Sequence, residues 1–360
     1  MQDLKNDLPF KNIRVLDISS VLAGPLAGSF FAELGAEVIK IENKLTGGDV
    51  TRQWKLPAES PDEPYSAYYF SANYGKQEVH LDLNAIEDRV RLHQYILKSD
   101  ILISNFQKSV AEKLGVLPDD LHKKYPQLII GQLSAYNFED QRPGYDLVMQ
   151  GETGWISMTG TDDNHLSKLP VALIDIIAAH QLKEAILIAM WKKTTSGAGS
   201  IVHVSLYDSA LSALVNQASN YLMAGYIPKP LGTLHPNIAP YGDQFTDKYG
   251  IKFILAVGSD AQFNKLWFTL NLPIEKYPTF ERNNERVKYR KLLQQILRKK
   301  FRSFSLDDIS VMMMKEKIPF CAIKNLDQVF NDVDALKMTK KYTVDNIDVT
   351  SVSHIAFKIT

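Results

Sequence analysis

The chain reads as short apolar runs separated by longer stretches with helical spacing. IRVLDIS (13–19), rich in Ile, Val and Leu, looks like a buried strand. Gly24 and Pro25 follow; the fixed φ of proline suits the first turn of a helix predicted to run to about Leu34, where Gly35 stops it. EVIKIE (37–42), EVHLDL (78–83), ILIS (101–104) and LIIGQL (128–133) repeat the strand pattern, with a helix predicted over about 85–98. Such alternation predicts a parallel sheet covered by helices. A turn-rich piece, TTSGAGS (194–200), leads into strand IVHVSL and a helix starting near Asp208. From about residue 225 the texture changes to IPKPLGTLHPNIAPYG, then strand IKFILAV and several helices. Among these KYRKLLQQILRKKFR (288–302) is a basic amphipathic helix, read as carrying a solvated lysine–arginine face. IPFCAIK (318–324) and NLDQVFNDVDAL (325–336) look like one more strand–helix unit.

Composition narrows the classes. The 360 residues, 45% hydrophobic and 23% charged, suffice for one large core and a second, smaller lobe. Formal net charge is zero, so any anion site must be local and nucleic acid is not an expected partner. The one cysteine, Cys321, rules out an intrachain disulfide framework and a cysteine-based metal site. The opening MQDLKNDLPFKN lacks the apolar core of a signal peptide, and no apolar run approaches the roughly 20 residues of a membrane helix. The expectation is a cytoplasmic protein without membrane association.

Familiar chemical motifs are missing. The first strand–helix turn is SSVLAGPLAG, without the G-x-G-x-x-G spacing that lets a pyrophosphate approach the backbone. The eight histidines show no local ligand spacing, and there is neither a P-loop nor a G-x-S-x-G elbow. One position stands out instead. In KLPVALIDIIAAHQ (168–181), the run from Leu169 to Ala179 is apolar except for Asp175. Apolar residues after it recur with helical spacing, so Asp175 is a good N-cap for a helix reaching about Lys193. A carboxylate there is pulled two ways. Desolvation raises its pKa, while backbone N–H groups at a helix start favour the ion. An ionised, poorly hydrated carboxylate is also what attack on an activated acyl group requires, so capping and catalysis both stay open.

The run RVLDISSVLAGPLAGSFFAELGAEVIKIENKLTGGDVTRQW (14–54) resembles the opening of the class III CoA-transferases, the CaiB/BaiF family. NYGKQEVHLDL (73–83), SDILISNFQKSVAEKLGV (99–116), GYDLVMQGETGWISMTG (144–160) and LPVALIDIIAA (169–179) match further segments in the family's order. GSIVHVSLYDSAL (199–211), HPNIAPYG (235–242) and KIPFCAIKNLDQVF (317–330) complete a resemblance spanning nearly the whole chain. It implies an α/β fold with a large Rossmann-like parallel-sheet domain and a smaller α+β domain, in an interlocked-ring homodimer. The expected division is 1–200 with 325–360 for the large CoA-binding domain and 225–315 for the small one, joined by linkers at 201–224 and 316–324.

The same resemblance implies an acyl-CoA:carboxylate CoA-transferase, with Asp175 as covalent nucleophile passing through an aspartyl anhydride and an aspartyl-CoA thioester. The substrates would be a coenzyme A thioester and a carboxylic acid, with no permanently bound cofactor and no metal. Val21, Lys76, Asn105, Phe106, Lys113 and Leu114 occupy positions that line the family's CoA site. Tyr145 is a pocket candidate: it stands where the related α-methylacyl-CoA racemases have a histidine. Racemisation needs two groups of suitable pKa, and an ordinary tyrosine, near about 10, replaces histidine poorly. Asn43 stands where the family often has arginine and Ala179 where it commonly has glycine. These departures leave two alternatives, a racemase-like enzyme and a non-catalytic CoA-binding relative.

Overall fold

The computed structural model describes residues 8–344 and 347–359. The first seven residues of the N-terminal segment lie outside the described residues. Contacts divide the chain into two units: one takes residues up to Trp155, Lys168–Ile227 and Lys337 onward; the other takes Ile156–Ser167 and Pro228–Leu336.

The larger unit is built on six parallel strands: β1 (Arg14–Asp17), β2 (Glu37–Asn43), β3 (Gln77–Leu81), β4 (Ile101–Ser104), β5 (Ile129–Ser134) and β6 (Ile201–Ser205). Their spatial order is β3-β2-β1-β4-β5-β6, so the winding reverses between β1 and β4. Ligands of open parallel sheets bind beyond the strand ends at such a reversal. Its helices are α1 (Ala23–Glu33), α2 (Ala67–Asn73), α3 (Ile86–Leu97), α4 (Lys108–Leu114), α5 (Pro118–Lys124), α6 (Asp146–Glu152), α8 (Leu173–Ser196), α9 (Leu206–Ser212) and α10 (Val215–Ala224); the short α7 (Trp155–Met158) falls at the division between the units.

Side-chain alternation along the strands explains the two-sided cover. Val15, Val38, Ile101, Ile103 and Ile129 point to one face, where Phe30 and Phe31 of α1 meet Leu182 and Ile186 of α8. Leu16, Ile41, Leu102 and Ile130 point to the other, packed with Leu92 and Ile96 of α3 and Leu121 of α5. At Gly131 an added Cβ would lie 3.0 Å from Ile186 Cδ1 and 3.1 Å from Leu182 Cδ1. The missing side chain lets the 24-residue α8 lie close against β5. The C-terminal hairpin, β10 (Thr339–Val344) with β11 (Ile347–Val352), packs its Tyr342 and Val349 on Tyr65, Tyr69 and Phe70. It is tied to α1 through Glu33, which takes Lys340 Nζ at 2.8 Å and the His354 N–H at 2.8 Å. Burial alone would raise that carboxyl, but His354, Lys340 and Ser353 together hold it at about 2.

The second unit has an antiparallel sheet of β7 (Tyr241–Thr246), β8 (Lys252–Ala256) and β9 (Phe320–Ala322). Its own core gathers Phe253, Trp267, Leu293, Leu297 and Phe301. The helix Arg290–Phe301 buries Leu293, Leu297 and Phe301 and exposes Lys291, Arg298 and Lys299, as amphipathic spacing predicts, while Arg290 turns inward to donate to the His235 and Ile238 carbonyls.

The division departs from the expected boundaries. IPFCAIK, expected as a strand within the linker 316–324, does form a strand at Phe320–Ala322, but this pairs with β8, and the segment to Leu336 lies with it in the smaller unit. A short apolar run looks alike in parallel and antiparallel sheets; only the partner strand distinguishes them. Likewise Ile201–Ser205 pairs with β5 as the sixth parallel strand rather than opening a linker.

Candidate active site

Asp175 lies in the first turn of α8 but does not cap it. The N-cap position is Ala172, whose side chain cannot accept a hydrogen bond, and the cap comes from another helix. Asp146, the first residue of α6, accepts the Ile174 N–H at 2.7 Å and the Asp175 N–H at 3.4 Å on Oδ1. Its Oδ2 accepts from Gln150 Nε2 at 2.5 Å, and Gln150 Oε1 accepts the Leu169 N–H at 2.9 Å. One Asp–Gln pair thus clamps the segment entering α8 to α6. The N-cap expectation for Asp175 failed because capping by a residue 28 positions away leaves no local spacing to read.

The Asp175 residue is 8% exposed, and among the described residues its carboxylate accepts no hydrogen bond. Burial, then the negative charge of Asp146, raises its pKa to about 7. The Tyr68 hydroxyl of α2 is near enough to feel the same charges: burial raises its pKa, with further contributions from Asp175, Asp146 and Asp49. Tyr68 packs edge-on against Trp54, ring centroids 5.0 Å apart.

The strand ends at the winding reversal are held by buried charges. Asp17, the last residue of β1, takes Lys76 Nζ at 2.8 Å, with neither side chain exposed. Lys76 also donates to the Pro25 carbonyl at 2.7 Å and to Asn73 Oδ1 at 2.9 Å. Burial pulls the ammonium down to about 8 against the attraction of Asp17. Lys40 of β2 reaches the Ser19 carbonyl and Asp49 Oδ2. Asp49 in turn accepts the N–H of Val21, whose φ of 70° is left-handed and disfavoured for a β-branched residue. Asn105, just past β4, braces the same loop by accepting the Ser20 N–H at 3.1 Å and donating to the Ser20 carbonyl at 2.9 Å.

Beside this loop opens a cavity of about 410 Å³. Ser19, Ser20, Lys40, Asn43 and Asp49 line it from one side, and Phe106, Val110, Lys113 and Leu114 from the other. Three residues expected at a CoA site, Phe106, Lys113 and Leu114, therefore share one wall. Asn105 and Val21 shape the loop beside them through their hydrogen bonds. Lys76 does not join them. All three of its N–H donors are taken inside the fold, by Asp17, the Pro25 carbonyl and Asn73. Asn43, in place of a basic residue, caps a short turn by accepting the Leu45 N–H at 2.9 Å. Tyr145 is exposed and stands at the N-cap of α6, next to Asp146. Ala179, one turn beyond Asp175, is fully buried in the packing of α8. Sequence reasoning missed Asp146, Tyr68 and Asp49. Only Asp146 left a visible signal, as the acid of the quoted GYD segment.

A parallel sheet in this winding order, lacking phosphate-loop glycines but carrying a switch-point cavity and, outside its lining, a sheltered aspartate, fits an enzyme of acyl-group chemistry. The chain belongs to CoA-transferase family III: the family model matches residues 10–357. It is 33% identical over 349 residues to a succinate–glutarate CoA-transferase of Agrobacterium fabrum, covering 92% of this chain and 84% of that protein. It is 28% identical over 341 residues to the human succinyl-CoA:glutarate CoA-transferase, covering 93% and 76%. The crystal structure of a CaiB/BaiF family protein from Brucella suis superposes with a TM-score of 0.85 at 31% identity, covering 97% of this chain and 92% of that one. The α/β fold with a parallel-sheet domain and smaller antiparallel sheets is thus present, and the protein is a CoA-transferase. No helix among the described residues is long and apolar enough to cross a membrane.

Proposed function

We propose that the protein moves coenzyme A from an acyl-CoA thioester to a free carboxylic acid through Asp175. A carboxylate oxygen of Asp175 attacks the thioester carbonyl, the C–S bond breaks, and a mixed anhydride and CoA thiolate result. The thiolate attacks the aspartyl carbonyl, releasing the donor acid as its carboxylate and leaving an aspartyl-CoA thioester. The acceptor carboxylate attacks that thioester, and the freed thiolate then takes the acceptor's acyl group, restoring Asp175. No water is consumed, so the site must exclude it from each activated intermediate.

The observation that carries this reading is the state of Asp175: nearly buried, without a hydrogen-bond donor, and raised to about 7. Such a carboxylate ionises near neutrality yet stays poorly solvated, which suits nucleophilic attack. CoA would occupy the 410 Å³ cavity, with Lys113 toward a phosphate, Phe106 and Leu114 against its apolar parts, and Val21 and Asn105 holding the loop. Coenzyme A enters as substrate, and the mechanism uses no resident cofactor. The groups that act on Asp175 are carboxylic rather than histidine, which supports transfer over racemisation. Exposed apolar side chains on α8 and α10, including Trp191, Leu222 and Met223, support a homodimer. The cytoplasm, where acyl-CoA pools are accessible, is its proposed location. Dicarboxylic acids such as succinate and glutarate, named for the relatives, are the first substrates to try.

The test is transfer from succinyl-CoA to glutarate, and from a wider panel of acyl-CoA and acid pairs, by wild type and Asp175→Ala. Loss of all transfer in a folded Asp175→Ala protein is expected. Full activity in that variant overturns the reading.

A further inference from the structure

Two carboxylates meet at the start of α8, its own Asp175 and Asp146 of α6, and the helix N–H groups serve only Asp146. A first-turn carboxylate is ordinarily stabilised as an anion by free N–H groups and by the helix dipole. Here the N–H groups of Ile174 and Asp175 go to Asp146, while Asp175 has no donor and faces a like charge. The other elements around Asp175 offer no cation among the described residues. From α2 comes Tyr68, behind which stands Asp49, and α6 contributes Asp146 and the neutral Gln150.

We propose that Asp146 is a positioning residue for Asp175: it fixes the first turn of α8, takes the donors that would have stabilised the Asp175 anion, and opposes that anion with its own charge. The proposal rests on Asp175 being the nucleophile. Acylation makes Asp175 neutral, so the repulsion disappears in both covalent intermediates. Asp146 thereby makes Asp175 a more basic nucleophile and shifts the equilibrium toward the aspartyl-CoA thioester. The bonds formed and broken are those already given; Asp146 gains and loses nothing.

Asp146→Asn keeps an acceptor for the Ile174 N–H and removes the charge; Asp146→Ser does the same with a shorter arm. Gln150→Leu breaks the clamp but leaves the charge. Each variant is checked for folding by thermal melting. Two quantities are then read: the pH dependence of kcat/KM, and the fraction of enzyme trapped as the Asp175 adduct after mixing with acyl-CoA alone. Removing a like charge from beside a sheltered carboxylate moves its acid limb to lower pH by about one unit. The limb should move that way in both uncharged variants, with a trapped fraction several-fold lower and KM for acyl-CoA little changed. Gln150→Leu should lower the melting temperature without moving the limb. A folded Asp146→Asn or Asp146→Ser with the wild-type limb and trapped fraction overturns the proposal, because a pure capping role predicts that result. Wild type that transfers CoA without an Asp175 adduct overturns the nucleophile reading as well, so the two failures are distinct.

Discussion

Sheltering a carboxylate has a stability cost that can be measured apart from catalysis. Asp175 is carried from an ordinary 3.8 to about 7 by burial and by Asp146. A carboxylate raised in the folded state binds its proton more tightly there than in the unfolded chain. Below pH 3.8 both states are protonated and the group costs nothing. Between 3.8 and about 7 the unfolded chain releases the proton while the fold retains it, so stability falls as pH rises, and above 7 the loss is complete. At about 1.4 kcal/mol per pH unit the full loss is about 4 kcal/mol, an upper bound because water reaches part of the side chain. Asp175→Asn keeps the shape and removes the titration. Urea denaturation of wild type and variant should coincide near pH 4 and diverge by pH 8, with the variant more stable by about 2–4 kcal/mol. Equal stability at both pH values, or a less stable variant at pH 8, would refute the claim that the fold holds Asp175 in a destabilised state.

Three further outcomes follow from other parts of the fold. Lys76→Met removes the ion-pair partner of buried Asp17, leaving it Ser19 and the more distant charge of Lys40, and should lower stability by about 3 kcal/mol in chemical denaturation. Gly131→Val pushes a side chain against Ile186 and Leu182, and thermal melting should report a loss of about 1–3 kcal/mol. Lys113→Ala removes an exposed charge from the cavity wall. It should raise KM for acyl-CoA about fivefold, equivalent to about 1 kcal/mol, with an unchanged melting temperature.

The sheet was legible because its signal is local. The apolar runs of β1, β4 and β5 fill both faces of a covered sheet, and Pro25 and Gly35 mark the limits of α1. The site was legible only in part. Asp175 stood out as the one charge in an apolar run, yet what raises its pKa is burial together with a carboxylate from α6, both set by tertiary packing. The setting of Lys76 also comes from tertiary packing. A lysine after an N-Y-G turn looks solvated until the fold places Asp17, Asn73 and the Pro25 carbonyl around its ammonium. The strand at Phe320–Ala322 had no local mark of its partner, and its sheet became evident only from pairing with β8.

The central claim is that the acyl and CoA groups pass through one side chain. Mixing the protein with an acyl-CoA, quenching with hydroxylamine and mapping the modified peptide by mass spectrometry tests it most directly. A hydroxamate on Asp175 is expected, absent when acyl-CoA is withheld. CoA transfer proceeding at full rate with Asp175 unmodified, or with the label on another residue, contradicts it.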